Sequence, residues 1–355
     1  MFVAWRDMLF AKGRFTLITS VVVLITLLVG FLTGLTGGLA NENISAVQGL
    51  NADKIALANV AESTSEKDPT FSDSQITREQ AKAWSQAEGV EESTAIGISQ
   101  SRGETDGHSA ALAVFGGTAD SPSQDEEVVI SQTVADDLKL GSGDTMTIAG
   151  EDFTVTDVIS ERSYAHTGVV YTTLTDWQEL QQRMGDPDSY ATAIAIKGDP
   201  ADATSIDAEQ GTVTANSLTA LLSIDSFRSE VSSLLAMVAM LFAISGLVIG
   251  AFFTVWTIQR KADIAVLKAL GASNGRLRAD ALGQALVILL LGVGLGIALT
   301  AGLGALAGAA LPFVIAWYTT ALPAVILVIL GLVGAGFALR SITTADPLTA
   351  LGSAR

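Results

Sequence analysis

Hydrophobic positions along this chain collect into long uncharged runs instead of spreading with a helical or strand period. Residues 15–40, 231–259 and 281–339 contain no Asp, Glu, Lys or Arg, giving runs of 26, 29 and 59 residues. A bilayer's hydrocarbon core takes about 20 apolar residues per helix, so the first two runs fit one span each and the third fits two. Between the first and second runs the pattern changes. Short β-like stretches at 55–60, 94–99, 110–115, 128–130 and 169–172 alternate with helical patterns at 74–86, at 132–139 and from Thr175 through Trp177 and Leu180. Residues 145–148 and 153–158 read as a hairpin turning at Gly150. Residues 199–210 read as a loop, and 214–227 as the stalk of the second span.

The pattern predicts an α-helical membrane protein with four transmembrane helices plus an α+β extracellular domain inserted between the first and second. The expected segments are an amphipathic cytoplasmic-interface helix (1–14), spans at 15–40, 229–258, 281–310 and 322–339, the extracellular domain (41–228), a cytoplasmic coupling helix and loop (259–280), a short external loop (311–321) and a cytoplasmic tail (340–355). Phe2, Trp5, Leu9 and Phe10 share one helical face before the first span, opposite Arg6, Asp7 and Lys12. That span is about twice the apolar region of a signal peptide, so it is expected to be retained.

Charge fixes the expected orientation. Of a formal net charge of −17, residues 41–228 hold 32 of the 37 acidic and 10 of the 20 basic side chains, a net of −22, leaving +5 elsewhere. Those remaining bases flank the apolar runs: Arg6, Lys12 and Arg14, then Arg260, Lys261, Lys268, Arg276 and Arg278, then Arg340. Short basic loops stay inside, which places both termini in the cytoplasm of a multi-pass plasma-membrane protein and the acidic segment outside. That acidity offers no basic stripe for nucleic acid. With no cysteine, the external domain must hold together by its own core.

Enzymatic chemistry finds little support. The two histidines, His108 and His166, lack a metal-ligand spacing and read as ordinary surface or loop residues. There is no Gly-Lys dipeptide and hence no phosphate-cradling loop, and there is no G-x-S-x-G. Gly30, Gly34 and Gly38 recur every fourth residue and lie along one face of the first span, a device for close helix packing, within the chain or between two protomers. At the inner end of the second span, IQRKADIAVLKALGASNGRLRAD puts Ile264, Leu267 and Leu270 in an amphipathic helix with Asp263 and Lys268, stopped by Gly271. Such a helix suits force transmission from a soluble motor, and by composition equally a passive surface helix.

Four spans, a large insert after the first, RKADIAVLKALGAS, the external ISQTVADDLKLGSGDTMTIAGEDFTVTDV and the ending RSITTADPLTALG together resemble the macrolide-exporter/FtsX type of ABC-transporter permease. The family's usual Glu-Ile is Asp263-Ile264 in this chain, which keeps the charge. Compact length, the acidic cysteine-free insert and the opening AWRDMLFAKGRFTLI further resemble the heme-exporter permeases of Gram-positive (actinobacterial) species. The resemblance implies a homodimer in membrane lipid carrying two copies of a separate ABC ATPase subunit that binds ATP and Mg²⁺. Residues 263, 264, 267, 268 and 270 would couple to that ATPase, with no cofactor or metal of the chain's own. It implies export of a hydrophobic substrate, best matched by heme, squeezed out on the outer side. The alternatives are an FtsX-like signal transmitter without transport, or export of a macrolide, lipid or peptide.

If heme is the cargo, its iron needs a ligand near the outer leaflet, and a flat apolar porphyrin favours a groove between helices. Glu230 is the carboxylate adjoining a span on the outer side, and Ser233, Met237 and Met240 follow it on one helical stripe, with Phe227 one turn before. A packing role for the methionines and a snorkelling one for Glu230 fit the same pattern; the ligand would then be sought at Tyr164, His166 or Tyr171. The charge pattern carries its own test. A single cysteine at Ser65 is expected to react with an impermeant reagent on intact cells and one at Ser273 to stay unlabelled; labelling of position 273 alone would overturn the orientation.

Overall fold

The computed structural model describes residues 12–59, 69–260, 266, 268, 271–308 and 311–343. Among the described residues four helices are long and apolar enough to cross a membrane: α1 (Lys12–Gln48), α7 (Asp225–Gln259), α8 (Asn274–Ala307) and α9 (Trp317–Thr343). The chain divides into a membrane unit, 1–38 with 233–355, and an extracellular unit, 39–232. In the membrane unit Ile18 and Val22 of α1, Phe253 and Trp256 of α7, Ile288 and Leu289 of α8, and Leu327 and Ala335 of α9 share one buried cluster. Phe15 meets Trp256 edge to face at 6.2 Å, and the Arg260 guanidinium lies over the Trp256 ring at 5.1 Å. Small residues let these helices approach closely, as at Gly250 against Gly334.

Among its described residues the extracellular unit has ten strands. In chain order they are β1 (Lys54–Ala58), β2 (Val90–Thr105), β3 (His108–Gly116), β4 (Glu127–Ser131), β5 (Thr145–Ile148), β6 (Glu151–Ile159), β7 (Ser163–Tyr164), β8 (Thr167–Thr172), β9 (Ala193–Gly198) and β10 (Thr212–Asn216). Their order is β10-β1-β9-β2-β3-β8-β4-β6-β5, with β7 on β8. The sixteen-residue β2 belongs to two lobes. Its first half pairs with β9 in an antiparallel sheet completed by β1 and β10. Its second half pairs with β3, and Gly103 and Glu104 also pair with Ile148 and Thr147 of β5, so the second lobe closes on itself. Leu112, Val114, Ile130, Met146, Phe153 and Val155 fill that closed lobe.

Short helices cover the sheets: α2 (Arg78–Ser85), α3 (Gln132–Leu138), α4 (Leu174–Met184), α5 (Ala203–Gln210) and α6 (Ser217–Ala220). The start of α2 is a capping box, in which the Thr77 hydroxyl accepts from Gln80 N and the Gln80 side chain accepts from Thr77 N. Helix α4 buries Trp177, Leu180 and Gln181, one face at i, i+3 and i+4. The Trp177 indole donates to Ser99 Oγ at 3.0 Å, and its ring fills the space above Gly97 and Gly116, where neither residue could carry a side chain.

Three expectations are corrected. The helix expected over 74–86 begins at Arg78, because Ile76 is taken by a β-bridge to Ala191. Residues 203–210 are helical, not loop; Asp202 caps them by accepting from Ser205 N and Gly211 stops them at φ +64°, and since α5 buries no side chain it carries no apolar period to read. The stalk expected over 214–227 is strand β10, then α6 and a single 3₁₀ turn (Leu221–Ser223), with α7 starting only at Asp225. Strand β9, absent from the expected set, lies between β1 and β2. Helix α1 continues past residue 40 to Gln48, burying Asn43, Ile44, Ala46 and Val47. The expected helix over 1–14 lies mostly, and the tail over 340–355 largely, outside the described residues.

Gly97→Val is expected to push the Trp177 ring out of its site and cost on the order of 1–3 kcal/mol, as overpacked cores do. A lower thermal midpoint with red-shifted tryptophan emission from the purified full chain checks this.

Candidate functional site

Within the extracellular unit, the last turns of α1, the first turns of α7 and the β7–β8 hairpin meet at one polar cluster. The hairpin turns on only two residues, Ala165 and His166, both left-handed at φ +49° and +64°. A two-residue turn of this hand matches the twist of the flanking strands, but Asn-Gly is the pair that adopts it without strain. Ala165 and His166 are held there by donating their backbone N–H groups to the carbonyls of Asn43 and Glu42, each at 3.1 Å. Ser45 fixes the strand before the turn, its hydroxyl accepting from Ser163 N at 2.9 Å and donating to Ser163 O at 3.2 Å. Tyr164 packs edge-on against Phe71 and Phe115.

The turn thereby places the His166 ring between two carboxylates. Its Nδ1 is 3.3 Å from Glu42 Oε2, and its Nε2 is 3.2 Å from Glu230 Oε1 and 2.8 Å from Asn43 Nδ2. Asn43 is fully buried; its Nδ2 donates to Glu230 Oε2 at 3.1 Å while its Oδ1 accepts from Ser226 Oγ at 2.6 Å. A protonated imidazole donates to both carboxylates. A neutral one with its proton on Nδ1 keeps the Glu42 bond and accepts from Asn43 instead. Among the described residues no three His, Asp or Glu come together in a manner suited to a metal ion.

Glu230 is half-exposed at this cluster, one face tied down and the other open. Phe227 packs partly buried against the extracellular core. Farther along α7, Ser233, Met237 and Met240 are exposed. Burial, with Asp225 nearby, raises the Tyr164 phenol well above the usual tyrosine range, and burial does the same to Tyr171, with Asp120 adding to it. Both phenols therefore resist the ionised form that iron ligation prefers.

The glycine stripe packs within the chain: Gly30 faces Thr300, Gly34 faces the Phe313 ring, and Gly38 lies against the Pro312 backbone. Asp263, Ile264, Leu267 and Leu270 lie outside the described residues, and Lys268 is described as helical and half-buried. Glu42, Asn43 and Ser226 were not singled out by sequence. Asn41-Glu42-Asn43, the first polar cluster after the apolar run, was the available signal.

Residues 17–214 match the MacB-like periplasmic core domain, and residues 235–347 match the FtsX-like permease C-terminal domain. The chain belongs to the MacB/FtsX family of ABC-type permeases. It is similar along 99% of its length to 99% of HrtB from Staphylococcus haemolyticus (strain JCSC1435), named as the permease protein of a hemin transport system, at 27% identity. The protein of that name from Staphylococcus epidermidis (strain ATCC 35984) is 26% identical, again over 99% of each chain. Among solved structures, the extracellular domain of the ABC-type transporter YknZ from Gram-positive bacteria aligns with 47% of this chain and 100% of its own, at 13% identity and a TM-score of 0.35. The periplasmic region of MacB from Actinobacillus actinomycetemcomitans aligns with 53% of this chain and 98% of its own, at 13% identity and a TM-score of 0.33.

Asn43→Ala would take the Ser226 hydroxyl's acceptor away and leave Glu230 with His166 as its remaining side-chain partner, a loss of about 1–3 kcal/mol. A thermal midpoint several degrees lower for the purified full chain is the expected result, and an unchanged midpoint would show that water replaces the amide.

Proposed function

We propose that this permease is the membrane subunit of a heme exporter that relieves heme toxicity. The observation that carries the reading is the end-to-end similarity to permeases named for hemin transport. The chain supplies chemistry that suits such a cargo: a half-exposed carboxylate, Glu230, at the start of α7, followed on that helix by exposed Ser233, Met237 and Met240. A carboxylate oxygen ligates ferric iron, and thioethers and small residues wall a flat porphyrin. In a two-fold dimer each of these groups occurs twice, so a pair of Glu230 carboxylates would face the iron from both sides.

The energy source lies on another chain. Two copies of an ABC ATPase, binding ATP and Mg²⁺, would dock on the cytoplasmic segment around Asp263, Ile264, Leu267, Lys268 and Leu270, and both termini of the permease would lie on that side. ATP-driven closure then squeezes heme from the outer leaflet, with the extracellular domain relaying the motion.

Glu230→Ala is expected to change the absorption spectrum of bound hemin and sensitise cells to hemin while the subunit still assembles. Met237→Ala should give the smaller effect if the thioether only walls the porphyrin. Hemin binding and hemin resistance at wild-type levels in both variants would overturn this site.

A further inference from the structure

The hydrogen-bond pattern around Glu230 carries a residue role that rests on the reading just given. We infer that His166 is a positioning residue that, with Asn43, orients the Glu230 carboxylate for cargo. A glutamate side chain has three rotatable bonds, so a half-exposed one samples many orientations unless something holds it. Here Asn43 holds it from one side, and His166 joins it when the imidazole Nε2 carries a proton. Asn43 Nδ2 bonds Oε2 at 3.1 Å, and His166 Nε2 lies 3.2 and 3.3 Å from the two oxygens. A carboxylate offers about four lone-pair sites. These contacts engage the protein side of the group and leave the remaining lone pairs for a ligand.

The holders are themselves held, which distinguishes an oriented site from a chance surface contact. Asn43 is fully buried and its other amide atom is fixed by Ser226. The imidazole is fixed at its far nitrogen by Glu42, and its backbone by the left-handed turn bonded to α1. Strain of this kind persists only where surrounding contacts over-determine it, and it collects at functional sites. Hydrogen-bonding partners behind a ligating group set its direction and basicity, and their removal lowers affinity for a metal centre by roughly 10–100-fold. Neither residue touches the cargo in this arrangement; each acts through Glu230.

The test is hemin titration of the purified full chain, followed by its absorption band, with the thermal midpoint recorded for each variant. A glutamine amide reaches about where the imidazole Nε2 lies, and an asparagine amide about where Nδ1 lies. His166→Gln therefore keeps a donor for Glu230, whereas His166→Asn keeps only the partner of Glu42. Affinity roughly 10–100-fold weaker with a shifted band in His166→Asn, and near-wild-type affinity and band in His166→Gln, is the expected result. Equal weakening in both would reduce His166 to a structural role. Complete loss of the band in His166→Gln would make the imidazole itself the ligand. Wild-type binding in His166→Asn while Glu230→Ala loses the band would overturn the positioning role and leave the cargo site standing. Wild-type binding in Glu230→Ala would remove both.

Discussion

No water reaches the hydrocarbon core of a bilayer to bond peptide groups, so every residue that crosses it must satisfy its own backbone. That constraint makes the first two apolar runs one helix each and the third two, and gathers the strands into one insert between α1 and α7. A further consequence concerns the two helices that bracket the insert. Neither stops where its apolar run stops. Helix α1 continues to Gln48 and α7 begins at Asp225, so each contributes polar side chains on helical backbone to the extracellular unit. Glu42 and Asn43 on one, and Ser226 and Glu230 on the other, thus meet as parts of regular helices, with the precision that loops lack.

The spans were legible because exclusion of charge over 26 or more residues has few other physical meanings. Strands with buried β-branched positions, such as β4 and β8, were legible for a similar reason. Elements at the margins were not. Strand β10 is an edge with mixed exposure, and α5 has no fully buried side chain, so neither prints a clear period on the sequence. Strand β9 has an alternating Ala-Ile text that reads as strand or helix alike until its neighbours β1 and β2 are known.

The site divides in the same way. Glu230 stood out as a carboxylate beside a span. His166 entered only as a fallback ligand, and Asn43 not at all, because their meeting depends on a turn far away in the chain. Nothing local in Tyr164-Ala165-His166-Thr167 announces a left-handed pair; Asn-Gly would have. The departure from good turn chemistry marks the place where the fold holds a residue against its preference, and that residue faces the carboxylate.

The shared strand β2 has a bearing on how the domain is made. Ile55 of β1 pairs with Ala195 and Ala215, and the first half of β2 waits for the same strand β9, so the first sheet cannot close until nearly the whole insert is present. The second lobe draws its pairings from a shorter stretch of chain and closes earlier, carrying half of β2 with it. A chain threaded outward from its first span would therefore expose β1 and the first half of β2 as unpaired edges until residues 193–216 arrive. The excess of carboxylates in this segment suits that interval, since like charges keep half-formed sheets on neighbouring chains apart.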